Sequence, residues 1–323
     1  MLSHSPSVLI LGAHGRFGMA ATQAFSRAGW RVRAQSRRNS ASWPAGVEAV
    51  SADAMDADAL CAAAQGTDAI VNALNPPYAE WQRFALRLAE HALAAAETSG
   101  ALLMFPGNVY NFGKALPSRL DPNTPQIGNN AKACIRIEIE RQLSLAAERG
   151  VNSVVVRGGD FFGGEVRGSW FDLAIAKSLG QGKMVYPGRL DVPHSWAYLP
   201  DFAETFVRLA NFRRALSGAN RFHFPGHVFT GRELHSALEQ ASERPLKLVR
   251  LPWGLIRLSS IFSPMSRAIL EMRYLWQRPF VLEDDALRKL IGELPHTPGP
   301  TALAASLVAL GYPASRANLL QGG

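Results

Sequence analysis

The stretch Gly12-Ala13-His14-Gly15-Arg16-Phe17-Gly18 constrains this chain more than any other part of it. It follows an apolar run, Val8-Leu9-Ile10-Leu11, that reads as a buried strand. It opens a helical pattern from Phe17 to Ala28 that Gly29 stops. Strand, glycine turn and helix in that order are the context a dinucleotide fingerprint requires. Gly12 permits the tight turn, Gly15 lets the backbone approach a pyrophosphate, and Gly18 allows close helix–strand packing. The free N–H groups at the helix start, with His14, Arg16 and Phe17 around them, then meet a phosphate. The plainer alternative is a turn with a structural task only.

The alternation continues along the first half. Trp30–Ala34, Val47–Val50, Ala69–Asn72, Ala101–Phe105 and Val151–Val156 read as strands. Asp56–Ala64, Glu80–Thr98 and Ala131–Arg149 read as helices. Near-continuous apolar strands between helices predict a parallel sheet covered on both faces. The fold class is therefore α/β: a doubly wound parallel sheet of Rossmann type over residues 1–157, with a later segment near 190–210 returning to it. A smaller, C-terminal substrate lobe takes most of 158–323. There the rhythm breaks into glycines and aromatics (158–168), short strand-like pieces (184–186, 221–224, 247–249) and helices near 171–179, 201–211 and 231–243, with a mostly helical tail over 253–310.

The end of the second strand bears on the cofactor. An NAD site places Asp or Glu about 20 residues beyond the glycines, on the ribose 2′-OH. Here the chain reads Ala34-Gln35-Ser36-Arg37-Arg38, with no acid. Ser36, Arg37 and Arg38 suit a 2′-phosphate, which arginine holds through charge-assisted bonds. Arg16 is a third cation within reach. The expectation is NADP rather than NAD; two solvated arginines on a loop are the alternative.

Composition excludes other classes. Hydrophobic residues make up 47% and charged residues 19% of the 323, enough apolar content for a core and too much for a disordered chain. The net charge of +8 rests on scattered cations; only Arg37-Arg38 and Arg213-Arg214 are adjacent, so no nucleic-acid partner is expected. Cys61 and Cys134 lack the spacing of a disulfide framework or a metal site, and each is expected as a small buried thiol. No apolar stretch approaches about 18 residues, and Met1–Ser7 has no basic n-region. These features predict a soluble, cytoplasmic protein that acts on a small molecule, with no metal and no membrane partner.

Taken together, Gly12, Gly15 and Gly18 at Gly-x-x-Gly-x-x-Gly spacing resemble the short-chain dehydrogenase/reductase superfamily. Later landmarks resemble its extended branch, the NAD-dependent epimerase/dehydratase family: Asp53, Asn72-Ala73-Leu74, Val109-Tyr110, Lys132, Arg157-Gly158-Gly159-Asp160-Phe161-Phe162-Gly163 and His194 to Asp201. The resemblance runs from about Ser7 to Ala210. It implies that Asp53 lies beside the adenine, that Ala73 and Leu74 line the nucleotide groove, and that Lys132 bonds the nicotinamide ribose. It also implies a dimer through a two-helix surface. Asp53 has a plainer reading as a helix cap, and so does Asp201.

The departures concern catalysis. The resemblance implies a Tyr four residues before Lys132 and a Ser or Thr four residues before Tyr110; those positions hold Gly128 and Pro106, and neither transfers a proton. Candidates to replace them are Tyr110 as a phenol, Asn108 and Asn111 as donors to a substrate oxygen, and His194 as a general acid near neutral pH. Asp160 is a weaker candidate that suits a turn cap. Arg157, Arg167 and Arg189 can meet an anionic substrate group. The leading expectation is an NADP-dependent oxidoreductase or epimerase acting on a small, partly apolar carbonyl or hydroxyl substrate. The alternative is a non-catalytic NADP-binding regulatory or sensor protein of the same fold.

Overall fold

The computed structural model describes residues 5–37 and 43–313. Strand β1 (Ser7–Leu11) shows why the sheet is central: all five residues are buried. Successive side chains point to opposite faces. Val8 and Ile10 enter one apolar cluster, and Leu9 and Leu11 enter another on the far side.

Helix α1 (Arg16–Arg27), β2 (Arg31–Ser36), β3 (Glu48–Ser51), α2 (Ala57–Ala64), β4 (Ala69–Asn72), α3 (Trp81–Ser99) and β5 (Leu102–Gly107) follow in order. Then come β6 (Arg119–Leu120), α4 (Ala131–Ala147), β7 (Ser153–Arg157), β8 (Asp160–Phe162), β9 (Lys183–Tyr186), β10 (His194–Tyr198), α5 (Leu199–Asn211) and β11 (Ala219–His223). The last part holds β12 (His227–Phe229), α6 (Gly231–Ser242), β13 (Lys247–Arg250), α7 (Trp253–Ser259), α8 (Pro264–Glu271), β14 (Val281–Leu282), α9 (Asp285–Ile291) and α10 (Gly299–Ala309).

The main sheet has seven parallel strands in the order β11-β7-β5-β4-β1-β2-β3. From β1 the chain winds outward through β2 and β3, then returns to build β4, β5 and β7 on the other side. The reversal falls between β1 and β4, and a doubly wound sheet binds ligands at the carboxyl ends of the strands there. Gly12 and Ala73 follow those two strands directly.

Helices α1 and α5 cover one face through Phe17, Phe202 and Phe206. On the other face α3 presents Ala92, Leu93 and Ala96 beside Leu60 of α2 and Ile139 and Leu143 of α4. The return to the sheet is longer than the sequence suggests. Strand β11, which reads as a lobe fragment, pairs with β7 from Ala219 to His223.

The remainder forms a separate aromatic cluster around Phe162, Phe171, Trp196 and Trp276, beneath a small sheet of order β12-β10-β8. The expected helix near 171–179 is two short turns, Phe171–Ile175 and Leu179–Gln181. Cys134 is exposed and Cys61 half-buried, so neither is the fully buried thiol expected of it.

Candidate active site

One cavity of about 1140 Å³ runs from the glycine turn to the aromatic lobe. It exceeds the roughly 300–1,000 Å³ of an ordinary small-molecule pocket, so it has room for more than a single small ligand. At one end it is walled by Gly12, His14, Gly15, Arg16 and Phe17.

The turn is built by exclusion. Gly12 has φ +71, and a Cβ there would meet the Ala73 carbonyl oxygen at 3.1 Å. A Cβ on Gly15 would meet the Gly12 oxygen at 3.1 Å, and one on Gly18 would lie 2.2 Å from that same oxygen. Gly18 is therefore off the cavity wall and lets α1 sit against the turn, while Gly12 and Gly15 keep the backbone bare. The amides of Arg16 and Phe17, in the first turn of α1, have no intrahelical acceptor by geometry, which is the arrangement that holds a phosphate. The residues present thus fit a dinucleotide.

Gln35, which the sequence reading left without a role, braces this end. The Gly12 N–H donates to its Oε1 at 2.8 Å, and its Nε2 donates to the Ala52 carbonyl at 2.6 Å. Ser36, Arg37, Ala73 and Leu74 line the wall beside it, and the His14 ring packs on Trp43 at 4.6 Å between centroids. Arg38 lies outside the described residues.

Two expected cofactor contacts are corrected. Asp53 does not face the cavity: its Oδ1 accepts the Met55 N–H at 3.0 Å, and Ala54 takes its place on the wall. Arg16 lines the cavity, but its guanidinium turns to the opposite loop. It donates to the carbonyls of Val166 (2.9 Å) and Gly163 (3.2 Å) and pairs with Asp172 at 3.4 Å. It is a strap between the two lobes rather than a free cation for a 2′-phosphate.

Past the carboxyl ends of β4 and β5 the wall becomes chemically richer. Tyr110 stands in the turn after β5, whose start is capped by Asn108: the Asn108 Oδ1 accepts the Tyr110 N–H at 3.0 Å. The Tyr110 hydroxyl lies 2.6 Å from that of Tyr78, from the loop after β4. Burial holds both phenols above their ordinary range, Tyr110 far above it.

Beside them Arg136, one turn of α4 beyond Lys132, lies between the rings of Trp81 (4.8 Å) and Phe105 (5.0 Å) and donates to the Pro106 carbonyl at 3.3 Å. Burial lowers Arg136 to about 10, and Tyr110, Glu140 and Tyr78 partly offset this. Asp160, first residue of β8, completes the group. Its carboxylate raises both phenols electrostatically, and loss of water raises Asp160 itself to about 7. It is a cavity carboxylate, not the turn cap the glycines before it suggested.

Three other candidates do not line the cavity. Lys132 is buried under α8, with its ammonium 2.6 Å from Glu271 Oε2 and 5.5 Å from the centre of the Tyr78 ring, behind the cavity wall. His194 is fully buried in the lobe, stacked on Phe280 at 4.9 Å with Nε2 3.1 Å from the Arg278 carbonyl. Burial lowers it to about 4, which removes it as a general acid at neutral pH. Asn111 donates inward to Gln126 and Glu140, both at 2.9 Å.

Other sequence candidates also have structural partners. Asp201 holds the backbone N–H and hydroxyl of Thr297, both at 2.7 Å. Arg157 is fully buried against Glu140, and Arg189 pairs with Asp191; only Arg167 of those three arginines lines the cavity. A side chain at Gly128 would meet Cys134 Sγ at 3.2 Å and Ile137 Cδ1 at 3.5 Å.

Tyr78 and Arg136 were absent from the sequence reading. A weak signal existed for each. Tyr78 follows Asn72 to Pro77 at a strand's carboxyl end, and Arg136 repeats Lys132 one helical turn later.

Comparison with known proteins agrees with this architecture. Residues 12–159 match a family model described as NAD(P)H-binding. No curated protein matches the chain. Among solved structures, UDP-glucose 4-epimerase from Brucella ovis in complex with NAD aligns at a TM-score of 0.75 and 14% identity, over 96% of this chain and 100% of that one. UDP-glucose 4-epimerase from Bifidobacterium longum in complex with NAD+ and UDP aligns at 0.73 and 14%, over 93% and 97%. A nucleoside-diphosphate-sugar epimerase from Staphylococcus aureus aligns at 0.69 and 16%, over 92% and 99%. At such identity the likeness is one of fold.

Proposed function

We propose that this chain is an NADP-dependent oxidoreductase or epimerase of the extended short-chain dehydrogenase/reductase type; the match of residues 12–159 to a family model described as NAD(P)H-binding and the fold shared with solved epimerases support this reading. Its substrate is a small, partly apolar carbonyl or hydroxyl compound. The observation that carries this reading is the Tyr78–Tyr110 pair, set in the same cavity as the glycine turn and flanked by Arg136 and Asp160.

A nicotinamide dinucleotide bound in the cavity supplies or accepts the hydride. The protein manages the proton. With their pKa values raised, both phenols are neutral at pH 7 and act as donors. When negative charge develops on a substrate oxygen, one phenol gives it a proton and the other, 2.6 Å away, donates to the phenolate left behind. Arg136 is the cation that stabilises that phenolate. Asp160, titrating near 7, is suited to exchange the proton at neutral pH. The walls Leu173, Ile256, Ile269 and Leu275 favour a substrate with an apolar part.

The choice of NADP rests on Ser36 and Arg37 at the wall, with no acid at the end of β2. Calorimetric titration tests it: NADPH is expected to bind at least about tenfold more tightly than NADH, with the margin lost in Arg37→Ala. Equal affinity, or preference for NADH, refutes the choice. A second reading, a non-catalytic NADP sensor, is favoured by the withdrawal of Lys132 onto Glu271. It requires NADPH binding without hydride transfer to any substrate.

A further inference from the structure

The hairpin of α7 and α8 has two apolar sides. Its inner side chains Ile256, Met265 and Ile269 line the cavity. Its outer side carries Leu255, Leu258, Ile261 and Phe262, exposed to 66%, 63%, 63% and 87%. Single exposed leucines need no explanation, but four large apolar side chains at one end of one hairpin form a patch that marks an interaction surface. The tip is held by its own polar bonds. The Ser266 N–H donates to Ser263 Oγ at 3.2 Å, Ser259 Oγ bonds Ser266 Oγ at 2.9 Å, and Arg267 donates to the carbonyls of Ser260 (3.0 Å) and Ile261 (3.2 Å).

The hairpin and the chain flanking it are rich in cations. From Lys247 to Leu282 the sequence carries Lys247, Arg250, Arg257, Arg267, Arg273 and Arg278 against a single acid, Glu271; the acids Glu283, Asp284 and Asp285 follow beyond it, and Glu80 lies on the turn that packs against α8. Glu271 is turned inward onto Lys132. The five arginines are exposed. A second copy of the chain seated on this face would set arginine against arginine, which an isologous contact penalises. An anionic lipid surface meets both features at once: apolar side chains enter the headgroup–acyl boundary while guanidinium groups meet lipid phosphates.

We propose that the α7–α8 tip seats this protein on anionic membrane surfaces, so that the cavity walled by the inner side of the same hairpin opens at the lipid boundary and draws its apolar substrate from there. The source of the substrate rests on the functional reading above; the attachment does not. Among the described residues no helix is long and apolar enough to cross a membrane, and attachment to one leaflet needs none. The proposal replaces the sequence expectation of no membrane partner.

Sedimentation of the full chain with vesicles tests it. The protein is expected to pellet with phosphatidylcholine–phosphatidylglycerol vesicles, to stay in solution with phosphatidylcholine alone, and to be released by salt. The exposed-site variant Ile261→Asp/Phe262→Asp is expected to lose at least about tenfold in vesicle affinity while binding NADPH as the wild type does. In Phe262→Trp, the tryptophan emission is expected to shift to the blue when mixed vesicles are added. Wild-type protein that stays in solution with mixed vesicles at low salt overturns the proposal. So does a double variant that pellets equally well, or a concentration-dependent dimer without vesicles that the double variant abolishes. Vesicle binding needs no turnover, so its failure leaves the oxidoreductase reading standing, and absence of turnover leaves the attachment standing.

Discussion

The hydroxyls of Tyr78 and Tyr110 share one hydrogen bond of 2.6 Å, although 32 residues separate them in the chain. They come from loops after neighbouring strands, β4 and β5, at the carboxyl edge of the sheet. Only one proton lies between the oxygens, so the other is free to point into the cavity. Under the proposed function this pair is the proton donor, in a chain that has Gly128 and Pro106 at the expected catalytic positions.

If the two phenols act as a unit, their losses do not add. Tyr110→Phe and Tyr78→Phe are each expected to lower kcat by roughly 10²-fold or more on any carbonyl the protein reduces. The double variant should be little worse than either single one, with NADPH affinity unchanged. Steady-state kinetics and calorimetry on the same preparations check this; fully multiplicative losses would show that the tyrosines work separately.

The glycine turn makes a stability prediction. A Cβ at Gly18 would lie 2.2 Å from the Gly12 oxygen and 2.8 Å from Ala13 Cα, both backbone atoms that yield only if the turn moves. Gly18→Ala is expected to cost roughly 1–3 kcal/mol in urea unfolding and to weaken NADPH binding. Gly254→Ala in α7 is the control. Nothing lies within 4 Å of its added Cβ, so it should be neutral or slightly stabilising.

Three histidines set the acid response. Burial lowers His194, His223 and His227 to about 4 from an ordinary 6.5. Between these values the unfolded chain binds more protons than the folded one, so stability rises with pH. Their contribution is complete above about 6.5 and is lost as pH falls toward 4. Asp160, raised from 3.8 to about 7, and Asp284, also raised by burial, work in the opposite direction, as two groups against three. The urea midpoint is therefore expected to climb from pH 4.5 to pH 6.5 (a range of roughly the histidine window), and Asp160→Asn should steepen the climb and raise stability at pH 8. A flat or falling profile contradicts the burial of these groups.

What the sequence made legible follows from range. The glycine turn, the strands β1 to β5 and β7 and the helices between them are written in short patterns of alternation and breakers, and these appear where expected within a few residues; the two-residue β6 carries no such pattern. The candidate catalytic end depends on contacts that no local pattern carries. Lys132 is removed from the cavity by Glu271, 139 residues later. His194 is stacked on Phe280, which follows it by a long excursion through α6, α7 and α8. Gly158-Gly159 made Asp160 look like a turn residue, yet a Cβ on Gly159 would lie 1.9 Å from the Ser195 oxygen. That glycine is there so that β8 can lie against β10, and the same approach holds Asp160 at the cavity.

Hydride transfer at this cavity, with the tyrosine pair as proton donor, is open to direct test. The most direct measurement is mass spectrometry of products formed from [4-²H]NADPH and a panel of apolar aldehydes and ketones. One deuterium is expected on the carbonyl carbon, delivered from a single face of the nicotinamide, and its loss is expected in Tyr110→Phe. No deuterium in any product, from wild-type protein that binds NADPH, would contradict it and leave the sensor reading in its place.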